Sequence, residues 1–366
     1  MAQFDIVFEG GGAKGSAFVG ALEALQKAGH THRRLIGTSA GAITATLIAA
    51  GYTPSQLLAA ATEKLPNGRP RFSSFMDAPK EDDFTPAQRE NSLTMELLRK
   101  ASLPGISVPG ISVVERKLLD TLLKLPQYRQ LFSLVECGGF FSGNKFLEWI
   151  REKLAAKRFP AGIKFRDFAA RSKQDLSLVA SDTSDMEMLI LNHRTAPDCP
   201  VEWAVRMSMS IPFVWREVEW KAEWGTYLGR PKAGCFVVDG GVLSNFPIHL
   251  IATMDSFIQQ VMGNTNPQGA GNLGFIIDET LPVPGAANQD KPPELTGQIR
   301  TVQRVSRLVD TMTKAHDNTQ IREHEKEICR VPAKGYGTTE FDMTEPRLKA
   351  LIEGGRQAMA RHLAQR

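Results

Sequence analysis

Phe4-Asp5-Ile6-Val7-Phe8, continuing through Glu9-Gly10-Gly11-Gly12-Ala13-Lys14-Gly15, and then Leu35-Ile36-Gly37-Thr38-Ser39-Ala40-Gly41 decide the fold. The first stretch is a short apolar run closed by glycines, and Ala17, Leu22 and Leu25 follow it at helical spacing. It reads as strand, glycine turn, helix. The helix stops near Gly29, Leu35 and Ile36 offer a second short strand, and Gly37 to Gly41 leads into a small-residue helix that ends at Gly51. Strand alternating with helix predicts an α/β domain with a largely parallel sheet, whose ligands gather at the carboxyl ends of its strands.

The alternation returns after Gly143. A helix around Phe146 to Leu154, strands at Leu176 to Ala180 and Glu187 to Leu191, a helix from Val201, and strands at Cys235 to Val238 and Leu273 to Ile277 are expected. Thr53-Pro54-Ser55-Gln56 and Thr85-Pro86-Ala87-Gln88 each place a Thr cap, a Pro and a Gln as a capping box would, so each opens a helix. Pro66 to Asp83 and Leu103 to Pro109 break every period, and the chain from Pro66 to about Leu134 reads as a mobile insertion. Within it Val114, Leu118, Leu122 and Leu125 recur at helical spacing with Leu119 alongside, opposite Glu115, Lys117, Asp120 and Lys124. Such a stripe either completes a core or serves as an interfacial lid; exposure of Ile106, Val108 and Ile111 would favour the lid. A Pro-rich loop covers Leu281 to Pro293, and Val302, Val305, Leu308, Val309 and Met312 mark an amphipathic helix. With no internal repeat and no clean linker, one elaborated domain is expected.

With 42% hydrophobic and 23% charged residues in 366, the chain can bury a large core, which excludes disordered and fibrous classes. Forty-four Lys+Arg against 40 Asp+Glu leave a formal charge of +4. That is too little for a dedicated nucleic-acid binder, yet it is compatible with an anionic lipid surface. Cys137, Cys199, Cys235 and Cys329 stand far apart, so neither a disulfide framework nor a zinc cluster is suggested and a reducing compartment fits. No apolar run reaches the roughly 18 to 20 residues that span a bilayer. The N-terminus lacks a basic segment and carries Asp5 in its first apolar stretch, so a cytoplasmic location is the default expectation. No run resembles a calcium-binding loop.

Three motifs could carry chemistry. Gly37-Thr38-Ser39-Ala40-Gly41 is a G-x-S-x-G turn between strand and helix, which lifts the Ser39 hydroxyl above the sheet and aims the following helix's free N–H groups at a developing anion. The amides of the Gly10 to Gly15 turn can bind an oxyanion. Gly10, Gly12 and Gly15 also fit a dinucleotide fingerprint, but the acidic residue required at the end of the second strand is replaced by Gly37-Thr38-Ser39. A phosphate-binding P-loop fails because Lys14 precedes the last glycine. Val237-Val238-Asp239-Gly240-Gly241 is a strand ending in a carboxylate, with glycines that turn the chain away; alone, Asp-Gly is an everyday turn signal.

In this order, the three motifs resemble the patatin-like phospholipase family. Arg206-Met207-Ser208-Met209-Ser210-Ile211-Pro212 and Asn245-Phe246-Pro247 strengthen the resemblance, which runs from residue 4 to about 65 and from about 138 to 255 with weaker echoes beyond. It implies a three-layer α/β/α fold with a mainly parallel central sheet and a helical insertion. The catalytic core would be residues 1–65 and 138–255, the insertion or lid 66–137, and the C-terminal strand and helices 256–366 would pack on the core. It further implies a serine lipid acyl hydrolase, phospholipase A- or lysophospholipase-like, with a Ser–Asp dyad, no catalytic histidine, no cofactor and no metal. Its partners would be a phospholipid or other acyl-ester lipid and, transiently, a membrane surface, with no nucleic acid. Carried onto this chain, Ser39 is the nucleophile, Asp239 the base, and Gly10, Gly11 and Gly12 the oxyanion hole, supported by Lys14, Gly37, Gly41, Gly240 and Gly241. Lys14 departs from the family's usual arginine, keeping the charge but losing the bidentate fork. The insertion matches no family motif.

Other readings remain. A histidine triad would recruit His249, ten residues after Asp239, although Pro247-Ile248-His249-Leu250 reads as a helix start. His30 and His32 flank Thr31 in what reads as an exposed polar turn. An α/β-hydrolase would place several strands before its elbow. Acyl transfer to an acceptor other than water, and a lipid-binding module with a vestigial site, are the alternative functions.

Overall fold

The computed structural model describes residues 1–101, 111–253, 255–265, 270–286 and 321–365. Its strands are β1 (Gln3–Phe8), β2 (Thr31–Thr38), β3 (Gly139–Phe141), β4 (Asp175–Asp182), β5 (Glu187–Leu191), β6 (Phe213–Trp215), β7 (Val218–Glu219), β8 (Thr226–Tyr227), β9 (Arg230–Pro231), β10 (Phe236–Asp239), β11 (Ala270–Asp278) and β12 (Ile328–Pro332). Eight of them form one mixed sheet in the order β12-β11-β1-β2-β4-β10-β7, with β5 paired to β4. The run from β12 to β4 is parallel; β10, β7 and β5 join antiparallel.

Successive strand residues face opposite sides of a sheet. Phe4, Ile6 and Phe8 of β1, Leu35 of β2, Leu176 and Leu178 of β4, and Leu273 and Phe275 of β11 therefore share one core. Val7, Ile36, Val179 and Ile276, each from the intervening position of the same strands, belong to another. Helices cover both faces. On the first lie α1 (Ala17–Lys27), α2 (Ala40–Ala49) and α3 (Pro54–Ala61), further along the chain α8 (Asn144–Ala156), α9 (Phe165–Ser172) and α10 (Val201–Ser208), and the C-terminal helix (Glu345–Ala364). On the second lie α11 (His249–Ala252) and α12 (Ser256–Met262). The result is the expected three-layer α/β/α architecture with a mostly parallel sheet. Both capping boxes form: the Thr53 and Thr85 hydroxyls each accept the backbone N–H of the Gln three residues on, whose side-chain Oε1 accepts the Thr N–H. No helix among the described residues is long and apolar enough to cross a membrane.

β2 is longer than its apolar pair suggests. Pairing with β1 begins at Gln3 opposite Thr31, so His32 lies in a strand, half-buried, with Nε2 3.1 Å from Gln174 Oε1. His30 is half-buried too, and its Nδ1 accepts the Ala2 N–H. The exposed-turn expectation is corrected in both cases. Burial pulls the His32 pKa down. The unfolded chain therefore binds the proton first as pH falls through about 6.5, and stability is lost below that value. His32→Gln is expected to flatten the decline of Tm between about pH 7 and pH 5; an unchanged slope in a pH series of thermal melts would contradict this.

Between α3 and β3 the described chain forms α4 (Pro86–Glu90), α5 (Leu93–Ala101), α6 (Ile111–Leu123) and α7 (Pro126–Glu136). A small separate core joins Phe84, Met95, Leu119, Leu123 and Phe132. Of the two readings of the α6 stripe, completion of a core is not what most of it does. Glu115, Leu119 and Leu123, an i, i+4 row, face inward because that row meets Phe84, Met95 and Phe132; Val114, Leu118 and Leu125 are exposed and Leu122 is half-buried. The whole Leu103–Pro109 stretch with Ile106 and Val108, the side chain of Ile111, part of the Leu281–Pro293 loop and the helix expected across residues 302–312 lie outside the described residues.

Candidate active site

Three strands share β4, and this explains how Ser39 and Asp239 come to line one cavity. β5 occupies one edge of β4 from Leu178 to Asp182. β2 pairs with Asp175 to Val179 and β10 with Ala180 to Asp182, so both must lie along the other edge. β2 runs with β4 and β10 against it. Their carboxyl ends thus meet head to head, Thr38 opposite Val179 and Asp239 opposite Ala180. The next residues are Ser39 and Gly240. A Cβ on Gly240 would stand 2.3 Å from Val179 O and 3.0 Å from Thr38 Cγ2, so only glycine lets the two strand ends approach this closely. Gly241 turns back to donate its N–H to Asp239 Oδ1 at 2.8 Å.

Ser39 has φ 53° and ψ −119°, a backbone region that non-glycine residues seldom occupy, and it is the residue from which α2 starts. Turns of this kind need close packing around them. A Cβ on Gly37 would lie 2.2 Å from Gly41 O, and one on Gly41 would lie 2.3 Å from Phe8 O. The strained turn therefore presses the start of α2 against the end of β1, beside the glycine loop.

In that loop the Gly10 N–H donates to Asn245 O at 3.1 Å, which removes Gly10 from the expected oxyanion donors and leaves the amides of Gly11 and Gly12 as candidates. Glu9 and Asn245 brace the loop: Glu9 Oε2 accepts the Ile277 N–H at 2.5 Å, and Asn245 Nδ2 donates to Glu9 Oε1 at 3.2 Å and Gly10 O at 3.0 Å. Lys14 is buried, and its ammonium is bound by the Glu279 carboxylate. Its charge is engaged in this ion pair. Gly10, Gly11, Gly12, Lys14, Ser39, Asp239 and Gly241 together line a polar cavity of about 590 Å3.

A second cavity, of about 740 Å3, adjoins the first and is walled by apolar side chains. Ile43 and Leu47 of α2, Leu57 of α3, Phe72, Phe75, Phe146, Trp149 and Trp215 supply the wall. Phe72 meets Trp149 edge-on at 5.5 Å between centroids, and Phe75 meets Phe146 at 5.3 Å. Gly12, Ser39 and Ile211 line both cavities. Ser39 therefore stands in the wall shared by a polar chamber and an apolar one.

The end of α10 ties both residues in place. Ser39 N–H donates to Ser208 Oγ at 2.9 Å, Ser208 Oγ donates to Val179 O at 2.6 Å, and Asp239 N–H donates to Ser210 O at 2.9 Å. Arg206, fully buried, donates to Ser142 O, Arg216 O and Ser210 Oγ, while burial pushes its guanidinium pKa down to about 10 against the pull of Asp77. Ser208 had been part of a supporting motif without a role. Its signal was a serine at the inner end of an otherwise apolar helix face.

No histidine lines either cavity among the described residues; His249 opens α11 on the far face of the sheet, as its helix-start reading requires. One group of described residues, Asp182, Asp185 and Cys235, is close enough to hold a metal ion. The buried Lys232 ammonium already binds Asp182 at 2.7 Å, along with Asp185 and Glu187.

This fold and this elbow are those of a family. The profile of the patatin-like phospholipases matches residues 6–252, and the chain belongs to that family. Family membership supports hydrolysis of lipid esters as its general class of activity. It is 31% identical to the uncharacterised protein YqhO of Bacillus subtilis (strain 168) over 96% of this chain and 95% of that one. It is 21% identical to the probable lipid hydrolase 463L of Invertebrate iridescent virus 6, over 67% of this chain and 62% of the viral one. In fold it resembles VipD from Legionella pneumophila, with a TM-score of 0.52 and 15% identity, spanning 100% of this chain and 67% of that structure.

Proposed function

We propose that the protein is a serine acyl hydrolase of the phospholipase A or lysophospholipase type, acting through a Ser39–Asp239 dyad and an acyl-serine. The observation that carries this reading is the position of Ser39 in the walls of both cavities, with Asp239 in the polar one. The apolar chamber takes the acyl chain and the polar chamber the ester and its alcohol. Residues 1–65 and 138–255 form the catalytic core, with 66–137 as the insertion; 256–366, expected only to pack on the core, also completes its sheet with β11 and β12.

A carboxylate with an ordinary pKa near 3.9 is a weak base for a serine hydroxyl, so orientation and oxyanion binding must supply much of the rate. Ser39 Oγ adds to the ester carbonyl and passes its proton to Asp239. The amides of Gly11 and Gly12 and the positive end of α2 hold the oxyanion. The carbon–oxygen bond to the alcohol then breaks, and Asp239 delivers the proton to that oxygen. Water repeats the sequence on the acyl-serine, releasing fatty acid and free Ser39.

Turnover of a short-chain p-nitrophenyl ester tests the assignment. Ser39→Ala is expected to fall to background and His249→Ala to retain wild-type turnover; an inactive, folded His249→Ala beside an active Asp239→Ala would overturn the dyad assignment. Ser208→Ala leaves the Ser39 N–H and Val179 O without their bridge. It is expected to lower kcat about 10²-fold with KM little changed, and a change confined to KM would contradict the positioning role.

A further inference from the structure

We propose that α5, α6 and α7, together with Phe213, form the surface by which this protein docks on an anionic lipid bilayer; the proposal rests on the lipid-ester reading of the Ser39 site and assigns it a route to its substrate. Each helix leaves an apolar i, i+4 pair in solvent: Leu93 and Leu97 on α5, Val114 and Leu118 on α6, Leu131 and Val135 on α7. Leu97 is 57% exposed, Val114 67% and Val135 52%. These residues are not needed inside, because Met95, Leu119, Leu123 and Phe132 from the same helices close the small core with Phe84. Each helix of this unit thus keeps an apolar row turned away from its own core, and exposed apolar area of this kind marks an interaction site.

Charge selects which partner. The cations Arg89, Arg99, Lys100, Arg116 and Arg129 of this unit each meet a carboxylate. Lys117 and Lys124 are exposed and have no ion pair among the described residues. Lys117 falls on the solvent arc of α6 next to Val114 and Leu118, and Lys124 follows the last residue of that helix. Aliphatic side chains flanked by unneutralised lysines suit the boundary between acyl chains and anionic headgroups.

The surface is joined to the apolar cavity. Trp215 lines that cavity and donates through Nε1 to Phe75 O at 2.9 Å. The adjacent Arg216 donates to Ser133 Oγ of α7 at 2.8 Å and to Asp83 O at 3.0 Å, and lies 4.3 Å over the Phe84 ring. Phe213, paired with Gly139 two residues before this anchor, is 40% exposed at φ 65°. A bulky residue in that region is a strained outlier. The strain directs an aromatic ring into solvent just beyond Ile211, which lines both cavities.

The test uses Ser39→Ala protein, so that binding is read without turnover and a failed dyad assignment leaves it valid. Co-sedimentation is measured with vesicles of phosphatidylcholine alone and of phosphatidylcholine mixed with phosphatidylglycerol. Partitioning onto the mixed vesicles is expected to exceed that onto the neutral ones and to weaken with salt. Adding Val114→Glu and Leu118→Glu should reduce it about tenfold or more, and adding Lys117→Glu and Lys124→Glu should remove the preference for the anionic lipid. Thermal melts establish that both double variants are folded. Unchanged partitioning of either folded variant would overturn the proposal. So would sedimentation velocity showing a dimer of this chain that Val114→Glu with Leu118→Glu separates, beside no vesicle binding by the parent.

Discussion

Asp239→Asn is expected to lower ester turnover by about 10²- to 10⁴-fold while the protein stays folded. The amide has the shape of the carboxylate, and its oxygen can still accept the Gly241 N–H that Oδ1 accepts now at 2.8 Å. The backbone N–H of residue 239 can still reach Ser210 O. What disappears is the basic oxygen that takes the Ser39 proton. Since structure and charge are separated in this variant, its Tm measures the former and kcat the latter. A Tm near wild type with turnover above a tenth of wild type would mean that Asp239 is only a turn residue, as an isolated Asp-Gly would suggest.

Gly41→Ala is expected to damage both stability and activity. The added methyl would sit 2.3 Å from Phe8 O and 2.8 Å from Glu9 O, and backbone atoms cannot rotate away as a side chain can. Either α2 retreats from β1 or the end of β1 moves. Overpacking of this kind typically costs about 1–3 kcal/mol. Both relaxations also shift Ser39 relative to the glycine loop, where an error of about 1 Å is worth about 10²-fold in rate. Urea unfolding and kcat should therefore fall together. Wild-type values for both would show that the close contact at the elbow has no role in holding it.

The main-chain course around the site was legible because each signal was local. An apolar run, three glycines and a helical period mark β1 and α1, and G-x-S-x-G marks the turn into α2. Long-range pairing was not legible. Nothing in Val237-Val238-Asp239 says that β10 continues along the edge of β4 that β2 leaves at Val179, yet this register brings the two strand ends together. The same limit hid the Gly10 amide, whose partner is the carbonyl of Asn245, and Ser208, whose partners are on β4 and at the elbow. His32 was misplaced because strand pairing extended β2 past its apolar residues.

The α6 face was left open between two readings for a different reason. Its leucines and valines occupy more than half the helix circumference, so periodicity alone offers two inward rows, and the neighbours decide. Leu119 and Leu123 found Phe84 and Phe132; Val114 and Leu118 remained in water. A pattern that is ambiguous in sequence became an exposed surface in the fold.

A fluorophosphonate with an alkyl chain forms a stable adduct with an activated serine. Mass spectrometry of the labelled, digested protein should find one adduct per chain on the peptide carrying Ser39, none in Ser39→Ala, and markedly slower labelling in Asp239→Asn. An ester-hydrolysing protein that takes the label on another residue, or labels equally fast without the Asp239 carboxylate, would contradict the dyad.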